Sequence, residues 1–295
     1  MSATYPPPVR PNFPAWMHDR YGADAQLALD VAERIWTATR DGALDTLARR
    51  SPALVGFDWH VYLRMSAIRV LRTHRALASA GVASGRMLDF GAYFCNFSLY
   101  LAAKGYTVDA LDAFTEYAPA LGALRPMLDE AGVRQLDFAD LGADLAGLGS
   151  GAYDAVILMG VVEHIPHTPR PVLEAVDRCL RPGGVLVLDT PNLAYEYNRV
   201  RLAAGESIHS PIRRQYWTEI PFEGHHREYT TAEVLWMLEQ LGHEVLACDH
   251  FNYSIHALAE LTGVDAERYH VMEADPLRRE IIMTVSRKPP GGERP

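Results

Sequence analysis

Between residues 86 and 286 short apolar runs alternate with helical stretches, and this alternation restricts the fold more than any other feature of the chain. The runs are 86–90, 107–112 (TVDALD), 133–137 (VRQLD), 154–159 (DAVILM), 184–190 (GVLVLDT), 243–250 (HEVLACDH) and 280–286 (EIIMTVS). Several are apolar throughout, as strands covered on both faces require. Between them lie helices with readable ends. "TPRPVLEAVDRCL" opens at Thr168 with prolines in its first turn and stops at "RPGG". "TTAEVLWMLEQLG" offers a capping box, Thr230 with Glu233, and a stop at Gly242. The pattern predicts a doubly wound α/β sheet.

The flanks differ in character. Residues 1–14 are proline-rich and read as an extended arm, and 289–295 as a disordered tail. Residues 15–83 read as an N-terminal helical lid: Leu27, Val31 and Ile35 repeat at four-residue spacing, and Leu63, Ile68, Leu71 and Leu77 share one side. The sheet domain is expected over 84–288, with insertions at 191–229 and 251–279, the second holding a helix at "IHALAELTG". Together with the N-terminal helices, the insertions are expected around one edge of the sheet.

With 48% hydrophobic residues in 295, the chain can build one large core. A net charge of −9 argues against nucleic acid as a partner, because phosphate neutralisation needs a concentrated basic surface. The three cysteines, Cys95, Cys179 and Cys248, are far apart and lack zinc-ligand spacing. That usage suits a reducing, cytoplasmic setting. No signal pattern opens the chain and no apolar run reaches membrane-spanning length, so a membrane partner is not expected. A homo-oligomer stays open.

In an open parallel sheet, ligands bind beyond the carboxyl ends of the strands. The first end is "MLDFGAYFCNF", a strand, a turn at Gly91 and a helix, with Asp89 just before the turn. Tyr93 and Cys95 stand where a three-glycine loop would have its other two glycines. The second end is Asp112, about twenty residues on, where an acid can accept both hydroxyls of a ribose. The third is Asp137–Phe138, a carboxylate and a ring suited to an adenine. The fourth is "LMGVVEHIPH".

On these segments the chain resembles the class I S-adenosylmethionine-dependent methyltransferases. "LDFGAYFCNFSLYLA" is similar to the first motif, "VDALD" to the acidic second strand, and "DAVILMGVVEHIPHTPRPVLEAVDRCLRPGGVLVLDTPN" to the fourth strand, helix and fifth strand. "HHREYTTAEVLWMLEQLGHEV" resembles the helix-then-strand close of small-molecule methyltransferases. The likeness covers roughly residues 84–250. It implies a Rossmann-like seven-stranded sheet with the last strand antiparallel, and S-adenosyl-L-methionine as cofactor. It further implies Gly91 under the methionine part, Asp112 at the ribose, Asp137 and Phe138 at the adenine, and Met159 flanking that ring. Asp89 serves equally well as an organiser of the loop. Tyr93 covers the cofactor or faces the acceptor, and Cys95 reads as a packing residue.

Methyl transfer from a sulfonium needs alignment, and an alcohol or phenol acceptor also needs a base. His164, after the fourth strand, and His225 and His226, before the last helix, are the candidates. Glu163–His164 is also similar to the "E-x-x-E-H" pattern of ubiquinone-type O-methyltransferases, which is associated with a divalent metal. Gly160 replaces its first acid, so no metal is expected. The expected function is methyl transfer to a small molecule, most readily at oxygen, with Trp59, Tyr62, Tyr195, Tyr197, Tyr216 and Trp217 around the acceptor. The alternatives are a non-catalytic binding or scaffold protein on this fold and an enzyme using the cofactor for another reaction.

Overall fold

The structure, a computed structural model, describes residues 13–138, 148–255 and 266–291. The chain opens with helices α1 (Phe13–Tyr21), α2 (Ala23–Thr39) and α3 (Trp59–Ser79). There follow β1 (Arg86–Phe90), α4 (Asn96–Ala103), β2 (Thr107–Asp112), α5 (Phe114–Leu121), α6 (Arg125–Glu130), β3 (Arg134–Asp137) and β4 (Tyr153–Met159). The rest is α7 (Arg170–Cys179), β5 (Leu180–Pro191), α8 (Glu196–Ala203), α9 (Ile212–Gln215), α10 (Thr231–Gln240), β6 (Glu244–Phe251), α11 (Ala266–Ala274) and β7 (Ile281–Arg287).

All seven expected strands form one sheet, in the order β3-β2-β1-β4-β5-β7-β6. β1 to β5 pair in parallel, and β7 runs antiparallel between β5 and β6. β5 is longer than its apolar run. It starts at Leu180, because Leu180 pairs with Tyr153 before the register shifts between Tyr153 and Ala155.

Side-chain alternation divides the core. Met87, Ala155, Ile157, Val185 and Val187 face α1–α4, while Leu88, Val156, Leu158, Leu186 and Leu188 face α7 and α10. The N-terminal helices are therefore a full layer over one face of the sheet, beyond the edge position expected of them. α1 begins at Phe13, a fully buried residue, inside the segment read as an arm. Residues 1–12, 139–147, 256–265, which hold most of "IHALAELTG", and 292–295 lie outside the described residues. The Thr230–Glu233 capping box is formed as expected. Thr168 only accepts a 3.4 Å hydrogen bond from the Arg170 N–H, and Pro169 is the residue that enters α7.

The two insertions pack on one another. Tyr195 and Tyr197 cover Ile255, Tyr269 and Met272. Glu196, buried at the start of α8, receives Arg268 at 3.0 Å and Arg278 at 2.6 Å. Among the described residues no helix is long and apolar enough to cross a membrane.

Candidate active site

β1 stands between β2 and β4, where the chain order reverses, so its carboxyl end opens on the switch point of the sheet. The turn after it starts at Gly91 (φ +78°), whose N–H donates to the Leu111 carbonyl at 2.9 Å. Tyr93 (φ +46°) and Cys95 (φ +56°) also adopt the left-handed conformation. The loop thus keeps the backbone of a three-glycine turn although two of its residues carry side chains. Each such residue costs roughly 1–2 kcal/mol, and the surroundings hold both in place. The Tyr93 N–H donates to the Asp112 carboxylate at 2.6 Å. Its ring is packed among Phe94, Tyr117 and Trp59, at centroid distances of 4.8, 5.5 and 6.2 Å. Cys95 is fully buried, and its N–H donates to the Ala92 carbonyl at 2.6 Å.

The acidic strand ends have separate tasks. Asp112 accepts from the N–H groups of Tyr93 and Ala113, at 2.6 and 2.7 Å, and so joins the end of β2 to the glycine turn. Burial pushes its carboxyl up to about 6, against those two hydrogen bonds. Asp137 accepts from the Thr115 N–H and hydroxyl at the start of α5. Phe138 lies half-buried beside it, 6.5 Å from the Phe90 ring. Met159 does not join this group, because its sulfur faces the Thr73 hydroxyl of α3 at 3.9 Å.

Asp89 is buried and accepts a 2.5 Å hydrogen bond from Ser98 of α4. It ties the strand to the helix that follows the turn. Burial pushes its carboxyl up from 3.8 to about 7, the Ser98 bond opposing and the Asp112 charge adding. A folded value above the unfolded one stabilises fully below pH 3.8, and that stability is lost as pH rises through about 7. Asp89→Asn escapes this loss. It is expected to be about 2–4 kcal/mol more stable than the parent at about pH 8 and to lose that advantage near pH 4. Urea unfolding at both values checks this, and a variant no more stable at the higher pH overturns it.

The histidines gather after β4. The carbonyl of Glu163 accepts from the N–H groups of His226 (2.7 Å) and Arg227 (3.3 Å), which clamps residues 225–227 against the end of β4. His164 and His225 then lie edge to face, 4.8 Å between centroids. His164 Nδ1–H donates to the Glu223 carbonyl at 2.7 Å, and His225 Nδ1 bonds the Glu228 carboxylate at 3.1 Å. His226 does not share their arrangement, since its Nε2 is tied to the Phe222 carbonyl at 3.0 Å. Burial lowers the His164 pKa against the pull of the Glu163 charge. Burial also works against the charged form of His225, but the Glu228 hydrogen bond and the Glu163 and Glu228 charges outweigh it, so that its pKa is raised.

Beneath this pair lies an ion cluster. Glu163 is buried and accepts from the Thr190 hydroxyl at 3.0 Å. Arg69 of α3 makes a two-pronged bond to Asp189 at the end of β5, with Nε at 2.9 Å. Burial disfavours the Arg69 charge, and the Asp189 carboxylate overrides it. A Cβ on Gly160 would stand 2.8 Å from Arg69 Nη2 and 3.4 Å from Glu163 Oε1. An acid at 160 and this arginine therefore compete for one space, which accounts physically for the glycine in "GVVEH".

Glu163, His164 and His225 each bring one donor atom within 4.8 Å of the others. The third donor, which the "E-H" pair alone lacked, comes from the insertion after β5. Sequence reading also missed Arg69, Asp189 and Glu228. Asp189 could have been found as the end of a fifth strand, whereas Arg69 sits inside a helical apolar stripe and gives no signal. The expected aromatic set divides. Trp59 and Tyr62 pack near the Tyr93 turn. Tyr195 and Tyr197 pack between the insertions. Tyr216 and Trp217 are 72% and 82% exposed.

Residues 63–247, more than half the chain, match the methyltransferase-domain family. The chain belongs to this family. It is a class I member, and its cofactor is S-adenosyl-L-methionine. The ubiquinone biosynthesis O-methyltransferase of Psychrobacter arcticus is 30% identical to this methyltransferase over 165 residues, 55% of this chain and 60% of the relative. That of Xanthomonas oryzae pv. oryzae is 32% identical over 129 residues, 43% and 52% of the two chains. The matches thus span only 52–60% of the length of these curated relatives. Among solved structures, a methyltransferase from Galdieria sulphuraria superposes with a TM-score of 0.55 at 13% identity, covering 88% of this chain and 99% of its own. The [4+2]-cyclase SpnF superposes with a TM-score of 0.51 at 17% identity, covering 78% and 83%. At such identities they show the fold, and the second is named for a reaction other than methylation.

Proposed function

We propose that this methyltransferase moves the methyl group of S-adenosylmethionine to a hydroxyl oxygen of a small molecule, with His225, beside His164, taking the proton. The observation that carries this reading is the convergence of the two rings beyond β4, next to the glycine-like turn. When bound, the cofactor supplies an activated methyl on a sulfonium. The residues of the chain then have to bind it, align the acceptor behind the methyl and hold a proton. Asp112 takes the ribose, Asp137 and Phe138 the adenine, and the Gly91 turn leaves room for the methionine part. The N-terminal segment and residues 191–229 enclose the acceptor. In support, the Glu223 N–H donates to the Arg50 carbonyl at 2.7 Å, and Arg50 pairs with Glu223 at 2.9 Å. Three free cysteines suit a cytoplasmic setting.

Calorimetry with S-adenosylhomocysteine tests the cofactor half of the reading, and mass spectrometry of hydroxylated acceptors tests the transfer. Asp112→Ala should weaken the cofactor by at least about 1.5 kcal/mol, the scale of hydrogen bonds lost to a charged group. Unchanged affinity in a folded variant would refute this placement of the ribose. A chain that binds the cofactor and methylates no acceptor would favour the other-reaction alternative, and one that binds nothing would favour the scaffold.

A second reading rests on the three converging donors. Their chemistry fits a divalent ion: one carboxylate and two imidazoles, each ring with its Nδ1 already engaged by a carbonyl or carboxylate. Glu163, His164 and His225 would hold the ion, which would lower the pKa of an acceptor hydroxyl. The Arg69 guanidinium beside Glu163 weighs against it, so EDTA is expected to leave turnover unchanged. Activity lost to EDTA and restored by a divalent ion would make the metal reading the leading one.

A further inference from the structure

The His225 ring is the exposed end of a chain of hydrogen bonds within the insertion after β5. Glu228 Oε1 is 3.1 Å from His225 Nδ1, and its Oε2 accepts from the Asn198 side-chain amide at 3.0 Å. The same Asn198 nitrogen also donates to the Leu193 carbonyl at 3.1 Å. Asn198 is 3% exposed and lies on α8, two residues after Glu196, which Arg268 and Arg278 pin from the second insertion. The carboxylate is therefore held at both ends, and the element that holds it is itself braced.

Ionised Glu228 can only accept, so the proton of a neutral His225 must sit on Nδ1. That leaves the lone pair on Nε2. We propose that Glu228, fixed by Asn198, is the positioning residue that sets the tautomer and ring direction of His225. This rests on the reading of His225 as a residue of the acceptor site. It holds whether Nε2 takes a proton or binds an ion, since both need the lone pair there. Asn198 acts one step further out, by preventing the Glu228 carboxylate from turning away. The insertion after β5, braced by the one after β6, would thus share in the chemistry by deciding which imidazole nitrogen is free.

The test reads the tautomer directly and needs no acceptor. Long-range 15N NMR of the full chain, at a pH raised until the His225 signal stops shifting and the ring is neutral, distinguishes Nδ1–H from Nε2–H rings, and a His225→Asn variant assigns the signal. The parent should show His225 as Nδ1–H. Glu228→Leu should move it toward Nε2–H, while Glu228→Gln, which can still accept through its amide oxygen, should keep it. Asn198→Ala should give an intermediate mixture and guards against a Leu variant that fails to fold. With an acceptor in hand, Glu228→Leu should lower kcat about 10–100-fold with KM little changed, and Glu228→Gln should recover most of it. An Nε2–H signal in the parent, or an unchanged Nδ1–H signal in folded Glu228→Leu, overturns the proposal. If the tautomer shifts as stated but no acceptor is ever methylated, the positioning role stands and the proposed function fails.

Discussion

His225→Ala is expected to lower kcat by about 10²–10⁴-fold, the contribution of a positioned general base. Cofactor affinity should barely change, because the ring meets the acceptor and not the adenosine. The parent pH–rate profile should rise through a pKa above the usual histidine value, since Glu228 and Glu163 favour the charged ring and the base works only after losing that proton. The variant should lack this limb. His164→Ala should do less, because burial lowers its pKa and its Nδ1–H faces a neutral carbonyl where His225 faces a carboxylate, which leaves His164 the weaker base. His226→Ala should cost stability before activity, because its ring bonds the Phe222 carbonyl. A near-normal kcat for His225→Ala with a collapse for His164→Ala would transfer the role to His164. Near-normal values for all three would leave alignment alone, or an acceptor that is already ionised.

Gly91→Val is the other substitution with a large expected effect. A Cβ at Gly91 would stand 2.5 Å from Val161 Cγ2, and φ is +78°. A β-branched side chain is strained in that conformation and would force the turn away from the loop after β4. Titration calorimetry should detect no S-adenosylhomocysteine binding, while circular dichroism confirms the fold. Cys95→Gly is the contrast. Glycine tolerates φ +56° at no steric cost, so cofactor binding should survive, although the buried thiol is lost from the core. Parent-like affinity in Gly91→Val would show that the cofactor does not approach this turn.

The two loop residues show how far sequence reading reaches. A glycine pattern stands in for a backbone conformation, and Tyr93 and Cys95 adopt that conformation without being glycine. The strain is tolerated because Asp112 takes one N–H and an aromatic cluster locks the ring, contacts that join residues 59, 93, 112 and 117. From the sequence such a loop reads as altered, since nothing local announces the partners that hold it.

By itself the sequence determined the strands, their parallel run through β5, and the acids at the ends of β1, β2 and β3. Apolar runs, turn residues and caps act over a few neighbours, and the covering of both faces follows from composition alone. Tertiary structure alone decided that His225 and not His226 stands beside His164, that Arg69 fills the space in front of Gly160, and that Met159 turns to Thr73. Each of these depends on a contact across more than fifty residues of chain. Such contacts are set by which side chains the sheet brings to its carboxyl edge, and by the steep cost of leaving a buried charge or polar group unpaired there.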